Sequence, residues 1–172
     1  MASKSGMVEL QIVGVRVELP SNQPIILLRE QDGNRYLPIW IGVNEASAIA
    51  IALEGAVPPR PLTHDLLRSV IDAVGALATR VVITEMRDSV FYADLELDVA
   101  GETVKISARP SDAIALAVRT GTPLLALAEV LDEAAVQIED GDEEDKIAEF
   151  REFLEGATAE DFLRSEGPEH PE

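Results

Sequence analysis

An α+β domain, its mixed or antiparallel sheet covered by alanine-rich helices, is what the 172-residue sequence predicts. Three observations carry that reading. Short apolar segments with strand-like alternation come in groups of three, separated by turn residues. Alanine-rich helical runs follow each group. Apolar residues make up 47% of the chain but aromatic ones only 4%, so the core must be built from Val, Ile, Leu and Ala packed closely, as where helices cover a sheet. The length suits one domain with an appendage better than two domains.

Residues 7–19 alternate, with Val8, Leu10 and Ile12 on one parity and Val13, Val15, Val17 and Leu19 on the other. A switch near Gly14 predicts a long strand with a bulge there. Pro20 to Pro24 is turn chemistry, residues 25–29 form a second strand, and Gln31-Asp-Gly-Asn34 turns the chain into a third over residues 35–41. Asn44 is read as the cap of a helix over residues 45–54, apolar on nearly every face and so expected to be buried. A rigid Pro58-Pro-Arg-Pro61 link leads to a second helix over residues 64–78, with Thr63 as its cap and Leu66, Leu67, Val70, Ile71 and Val74 as its core stripe.

Strands over residues 80–87, 90–99 and 103–108 then precede a helix over residues 113–119, opened by Arg109-Pro-Ser-Asp112, and a short strand over residues 124–128. A shift of 65 residues places Ala48-Ile-Ala-Ile-Ala-Leu53 on Ala113-Ile-Ala-Leu-Ala-Val118, which suggests a β-β-β-α pseudo-repeat. The organisation expected is a disordered N-terminus (residues 1–6), the domain (7–138) and an acidic segment (139–172) with a linker, a short amphipathic helix around Ile147, Phe150 and Leu154, and a frayed end.

The net charge of −18 is uneven: residues 1–138 carry 11 basic and 18 acidic groups, residues 139–172 carry 3 and 14. A mildly acidic body argues against tight binding of duplex through a broad basic face, while local anion sites stay allowed. The tail could cover such a site as a nucleic-acid mimic, or simply be solvated. No apolar run is long enough to span a membrane and no secretory leader is evident, so a cytoplasmic protein is expected. The sequence has no cysteine, which removes thiolate nucleophiles and cysteine-bound zinc from consideration.

Among standard catalytic motifs, none is present, and chemistry has to come from a constellation. A helix N-terminus offers unpaired N–H groups and partial positive charge, so an arginine just upstream completes a phosphate or carboxylate site. Arg60 precedes Thr63, His64 and Asp65; Arg109 precedes Ser111 and Asp112. If the two helix starts converge, they form a two-arginine anion pocket holding His64, Asp65 and Asp112, with Glu45 from a third helix start. The same residues also make ordinary capping and ion-pair choices.

Leu37-Pro-Ile-Trp-Ile-Gly42 with Glu45-Ala46, then Arg60-Pro-Leu-Thr-His-Asp-Leu66, then Arg109-Pro-Ser-Asp-Ala-Ile-Ala-Leu116 resemble the bifunctional nuclease domain family of small bacterial and plant proteins. That resemblance implies hydrolysis of RNA, DNA or both. It matches the family's motifs at Glu45, Arg60, Thr63, His64, Asp65, Arg109, Ser111 and Asp112. The UvrB/UvrC-like motif of some plant members has no clear counterpart in the tail.

For a nuclease, Arg60 and Arg109, with Thr63 and Ser111, would bind phosphate. His64 would be the general base or acid, Asp65 would complete the catalytic set with the two arginines, and Glu45, Asp65 and Asp112 would hold Mg2+ or Mn2+. The rival readings are a non-catalytic module for an anionic ligand or a protein, and an oligomeric adaptor. A homo-oligomer is expected, with a dimer as its simplest closed form.

Overall fold

The computed structural model describes residues 6–137 and, singly, Ala148, which is helical and exposed. The acidic segment expected over residues 139–172 otherwise lies outside the described residues, as do residues 1–5. The domain is α+β. Three strands, β1 (Met7–Glu18), β2 (Gln23–Glu30) and β3 (Arg35–Trp40), lead into helices α1 (Val43–Leu53) and α2 (Thr63–Ala73). Strands β4 (Ala76–Arg87), β5 (Val90–Val99) and β6 (Glu102–Ala108) lead into α3 (Pro110–Thr120), followed by β7 (Leu124–Leu127), α4 (Ala128–Ala134) and β8 (Val136–Gln137). The strands form one sheet in the order β6-β5-β4-β7-β1-β2-β3-β8. Only β4 and β7 pair parallel within it.

Local chemistry explains the sheet's bends. The register of β1 on β2 shifts between Ile12 and Gly14, so Leu10 and Ile12 before the bulge and Val15 after it all reach the main core. Gly14 has φ +155°, a conformation open mainly to glycine. The β4–β5 turn places Asp88 and Ser89 at φ 50° and 62°, the paired left-handed geometry of a tight hairpin. Ile26 and Leu28 face the main core, whereas Ile25 and Leu27 pack with Tyr36 and Trp40 on the reverse face.

The helices differ from the sequence reading in which of them is enclosed. α3, with Ala113 to Ala117 all buried, is the central helix, packed between α1, α2 and the sheet. α1 buries only Ala46, Ala48 and Ile49, and its Val43 and Leu53 stay exposed. The predicted core stripe of α2 is corrected more sharply: Ile71 is buried, but Leu66, Leu67, Val70 and Val74 face solvent. α2 touches α3 and β4 with the margin of its apolar arc, where His64 and Ile71 lie one above the other two turns apart, and the centre of the arc points away. The helix is also shorter than read, because Gly75 (φ +74°) ends it and β4 starts at Ala76.

Candidate functional site

Three helices begin close together, and their first turns are built differently from the predicted caps. α1 is capped by Gly42, α2 by Leu62 and α3 by Arg109, so Asn44, Thr63 and Ser111 lie inside their helices rather than capping them. Pro110 takes the first helical position of α3, where its missing N–H costs nothing. Asp65 folds back to accept the Leu62 N–H at 2.9 Å, which satisfies one orphan donor of α2. A side chain at Gly42 would collide with the Glu45 carboxylate, so glycine there gives Glu45 room to lie over the start of α1.

Side chains from all three starts join in one network. The Arg109 guanidinium donates from Nε to Asp112 Oδ2 at 2.7 Å and from Nη2 to Glu45 Oε1 at 2.9 Å and Asp112 Oδ1 at 3.1 Å. Asp112 Oδ1 also lies 3.1 Å from His64 Nε2. Chain positions 45, 64, 109 and 112 therefore meet as Glu45–Arg109–Asp112–His64. The convergence expected of the helix starts is present for these four. His64 is no surface residue: its side chain is 11% exposed, against 64% for Arg109.

The other candidates stand apart. Arg60 and Thr63 are exposed, and Arg60 makes no ion pair or hydrogen bond among the described residues. Asp65 turns away to Arg119, whose Nε donates at 2.7 Å. Its carboxylate therefore does not join Glu45 and Asp112, between which the Arg109 cation sits. Among the described residues no three His, Asp or Glu side chains are grouped to hold a metal ion. The set Glu45, Asp65 and Asp112 does not fit a Mg2+ or Mn2+ centre in this arrangement, because each carboxylate is turned to an arginine.

Beside the network lies a cleft of about 360 Å³, lined by Trp40, Ile41 and Gly42, by the hairpin residues Ser89 to Phe91, by Gln23 and Ile39, and by Arg109 to Ser111. Sequence reading missed Trp40 and Phe91 as site residues because they come from the end of β3 and the β4–β5 hairpin, far along the chain from the α3 start. It also missed Arg119, whose ion pair spans 54 positions; its place in the last turn of α3 reads as a simple helix-end cation.

Electrostatics holds the carboxylates ionised. Glu45 is pulled below its ordinary range by its own backbone N–H and then by Arg109. Asp65 is lowered by the Leu62 N–H and then by Arg119. For Asp112 burial pushes upward, but hydrogen bonds from Arg109 and His64 outweigh it and the net direction is down. Its hydrogen-bonded partners Asp112 and then Glu45 raise Arg109. Folded values below the unfolded ones mean stability fully present above the unfolded carboxylate range, about pH 4, and lost as pH falls through the lowered folded values. A Glu45→Gln/Asp65→Asn protein is expected to melt below wild type at pH 7, with the gap closing below about pH 4. Melting curves across pH check this; a gap that persists or widens in acid would contradict it.

With the geometry in place, comparison with known proteins adds identity. Residues 26–139 match the family model described as the bifunctional nuclease domain. A Mycobacterium tuberculosis protein named "Uncharacterized protein Rv1829" is 48% identical over 164 residues, covering 91% of this chain and 98% of that protein. "Bifunctional nuclease 1" of Oryza sativa subsp. indica is 30% identical over 103 residues, 58% of this chain and 31% of the plant protein. "Bifunctional nuclease 1" of Arabidopsis thaliana is 30% identical over 105 residues, 59% of this chain and 32% of the plant protein. Only about a third of either plant protein is thus matched. No described helix is long and apolar enough to cross a membrane. On the family match and the extent of these similarities, the chain belongs to the bifunctional nuclease domain family.

Proposed function

We propose that this protein is a cytoplasmic nuclease that hydrolyses phosphodiester bonds of RNA, DNA or both at the joined starts of α1, α2 and α3. The observation that carries the reading is the Glu45–Arg109–Asp112–His64 network, in which an exposed cation meets a carboxylate backed by the domain's imidazole. Arg109 spends Nε and Nη2 on carboxylates, leaving Nη1 to neutralise a phosphate oxygen. Asp112 is the partly exposed member of the proton-handling pair, with a side chain one-third exposed. Held ionised by its partners, it accepts a proton from the attacking water and returns it to the departing oxygen as the P–O bond breaks, while His64 behind it fixes its position through Nε2. Arg60, exposed on the loop before α2 beside Thr63, would bind a neighbouring phosphate.

The test is cleavage of labelled single-stranded and duplex RNA and DNA by full-length protein, against an Asp112→Asn protein purified identically. Mg2+, Mn2+ and EDTA are separate arms, since the carboxylates offer no ready three-ligand site. Cleavage that co-purifies equally with the variant would defeat the assignment.

The open face of α2 supports a second copy of the chain as partner. Leu62, Leu66, Val70 and Val74 recur every fourth residue on a solvent-facing stripe, an arrangement monomers seldom leave uncovered. Two α2 helices packed antiparallel about a two-fold axis would cover the stripe of both copies. Light scattering at micromolar concentration should give a dimer, and Leu66→Glu/Val70→Glu a monomer. A monomeric wild type would remove this part of the proposal.

A further inference from the structure

We propose that the cleft beside the network is a subsite for one unpaired nucleotide, the base lying between the end of β3 and Phe91 of the β4–β5 hairpin and its phosphate at the first turn of α3. The nuclease reading supplies the source of the ligand, a single strand, while the subsite itself rests on the cleft's own construction. About 360 Å³ lies at the small end of ligand sites and suits one nucleotide better than a stacked pair. The lining combines aromatic and aliphatic walls with Gln23, Ser89 and Ser111 as polar points, the pattern that fixes a base by contact area and its edge by hydrogen bonds.

Ser111 carries the argument for a ligand. The residue is only 6% exposed, and its hydroxyl has no hydrogen-bond partner among the described residues. No fully enclosed side-chain nitrogen or oxygen among the described residues lacks a partner, so this oxygen must reach open space, and the cleft it lines is where it does so. A hydroxyl held in a mostly buried residue and left to an open cleft is a donor awaiting an acceptor. Next to it the start of α3 presents N–H groups that the helix does not pair, and Arg109 offers Nη1. Glu45 and Asp112 offset the Arg109 charge, so phosphate alone should bind weakly and the base should supply much of the affinity. A base in this cleft has to leave its stack and its pair, which selects single strands or frayed ends over duplex.

Trp40 is the chain's single tryptophan and lines the cleft at the end of β3, so its fluorescence reports binding beside it. Full-length protein titrated with adenosine monophosphate should show a saturable change in Trp40 emission, and inorganic phosphate at equal concentration should not. Ser111→Ala should weaken the mononucleotide about fivefold and Phe91→Leu about tenfold, with melting temperatures checked to confirm folding. No saturable change up to millimolar mononucleotide, an equal response to phosphate, or undiminished binding by both folded variants would overturn the subsite. Binding without any cleavage of nucleic acid would uphold the subsite and remove the nuclease reading. Equal cleavage of single strands and duplex, with no mononucleotide binding, would do the reverse.

Discussion

Asp112→Asn is expected to lower phosphodiester cleavage at least about a hundredfold, the low end of what a positioned acid or base supplies, while the protein stays folded. Asp112 is the one carboxylate shared by Arg109 and His64. Asparagine keeps its shape and one acceptor oxygen, but it cannot take a proton or hold two cationic or donor partners with charge. The loss should fall on kcat. Arg109→Lys should act instead mainly on KM, since an ammonium keeps the charge and loses the planar fork that spans Glu45 and Asp112. Asp65→Asn is the control: the same helix pair is disturbed, but the altered group faces Arg119 and not the network, so stability should fall and kcat should not. If Asp112→Asn cleaves as wild type does while contaminating activity is excluded, the proton-handling role of the Asp112–His64 pair is wrong.

Much of the fold is legible in the sequence because strand periodicity is local. The bulge at Gly14 shows in the parity of Leu10, Ile12 and Val15, and the hairpins show in their turn residues. Helix caps were misplaced by one or two residues, since the cap is fixed by backbone geometry at Gly42, Leu62 and Arg109 and not by the nearest Asn, Thr or Ser. The α2 stripe misled for a different reason: periodicity says which side chains share a face, not what covers that face. At the site, a shared helix-start grammar singled out Glu45, His64, Arg109 and Asp112, while their meeting is visible only in the fold. Which arginine each carboxylate chooses did not, because Arg109 and Arg119 compete for Asp65 and Asp112 only in three dimensions. Arg60 shares the grammar and joins nothing.

Arg119 is where the structure makes its largest stability demand, and Arg119→Met should lower stability by about 3 kcal/mol, or roughly 10 °C in Tm. The side chain is 6% exposed and ties three helices together. It donates to Asp65 on α2 at 2.7 Å, to the Ala115 carbonyl on α3 at 2.7 Å and to the Ala48 carbonyl on α1 at 3.0 Å. Its own carbonyl accepts from Arg68 Nη1 at 2.7 Å. α2 depends on these bonds more than most helices would, because it buries little beyond His64 and Ile71. Methionine retains the aliphatic stem but leaves the Ala48 carbonyl and one Asp65 oxygen without their donor. Lysine can reach one of the three acceptors and should recover less than half of the loss. Arg119→Met with Asp65→Asn should cost less than the two singles together, because they share one ion pair. A single Arg119→Met protein melting within about 2 °C of wild type would show that α2 is held by something else.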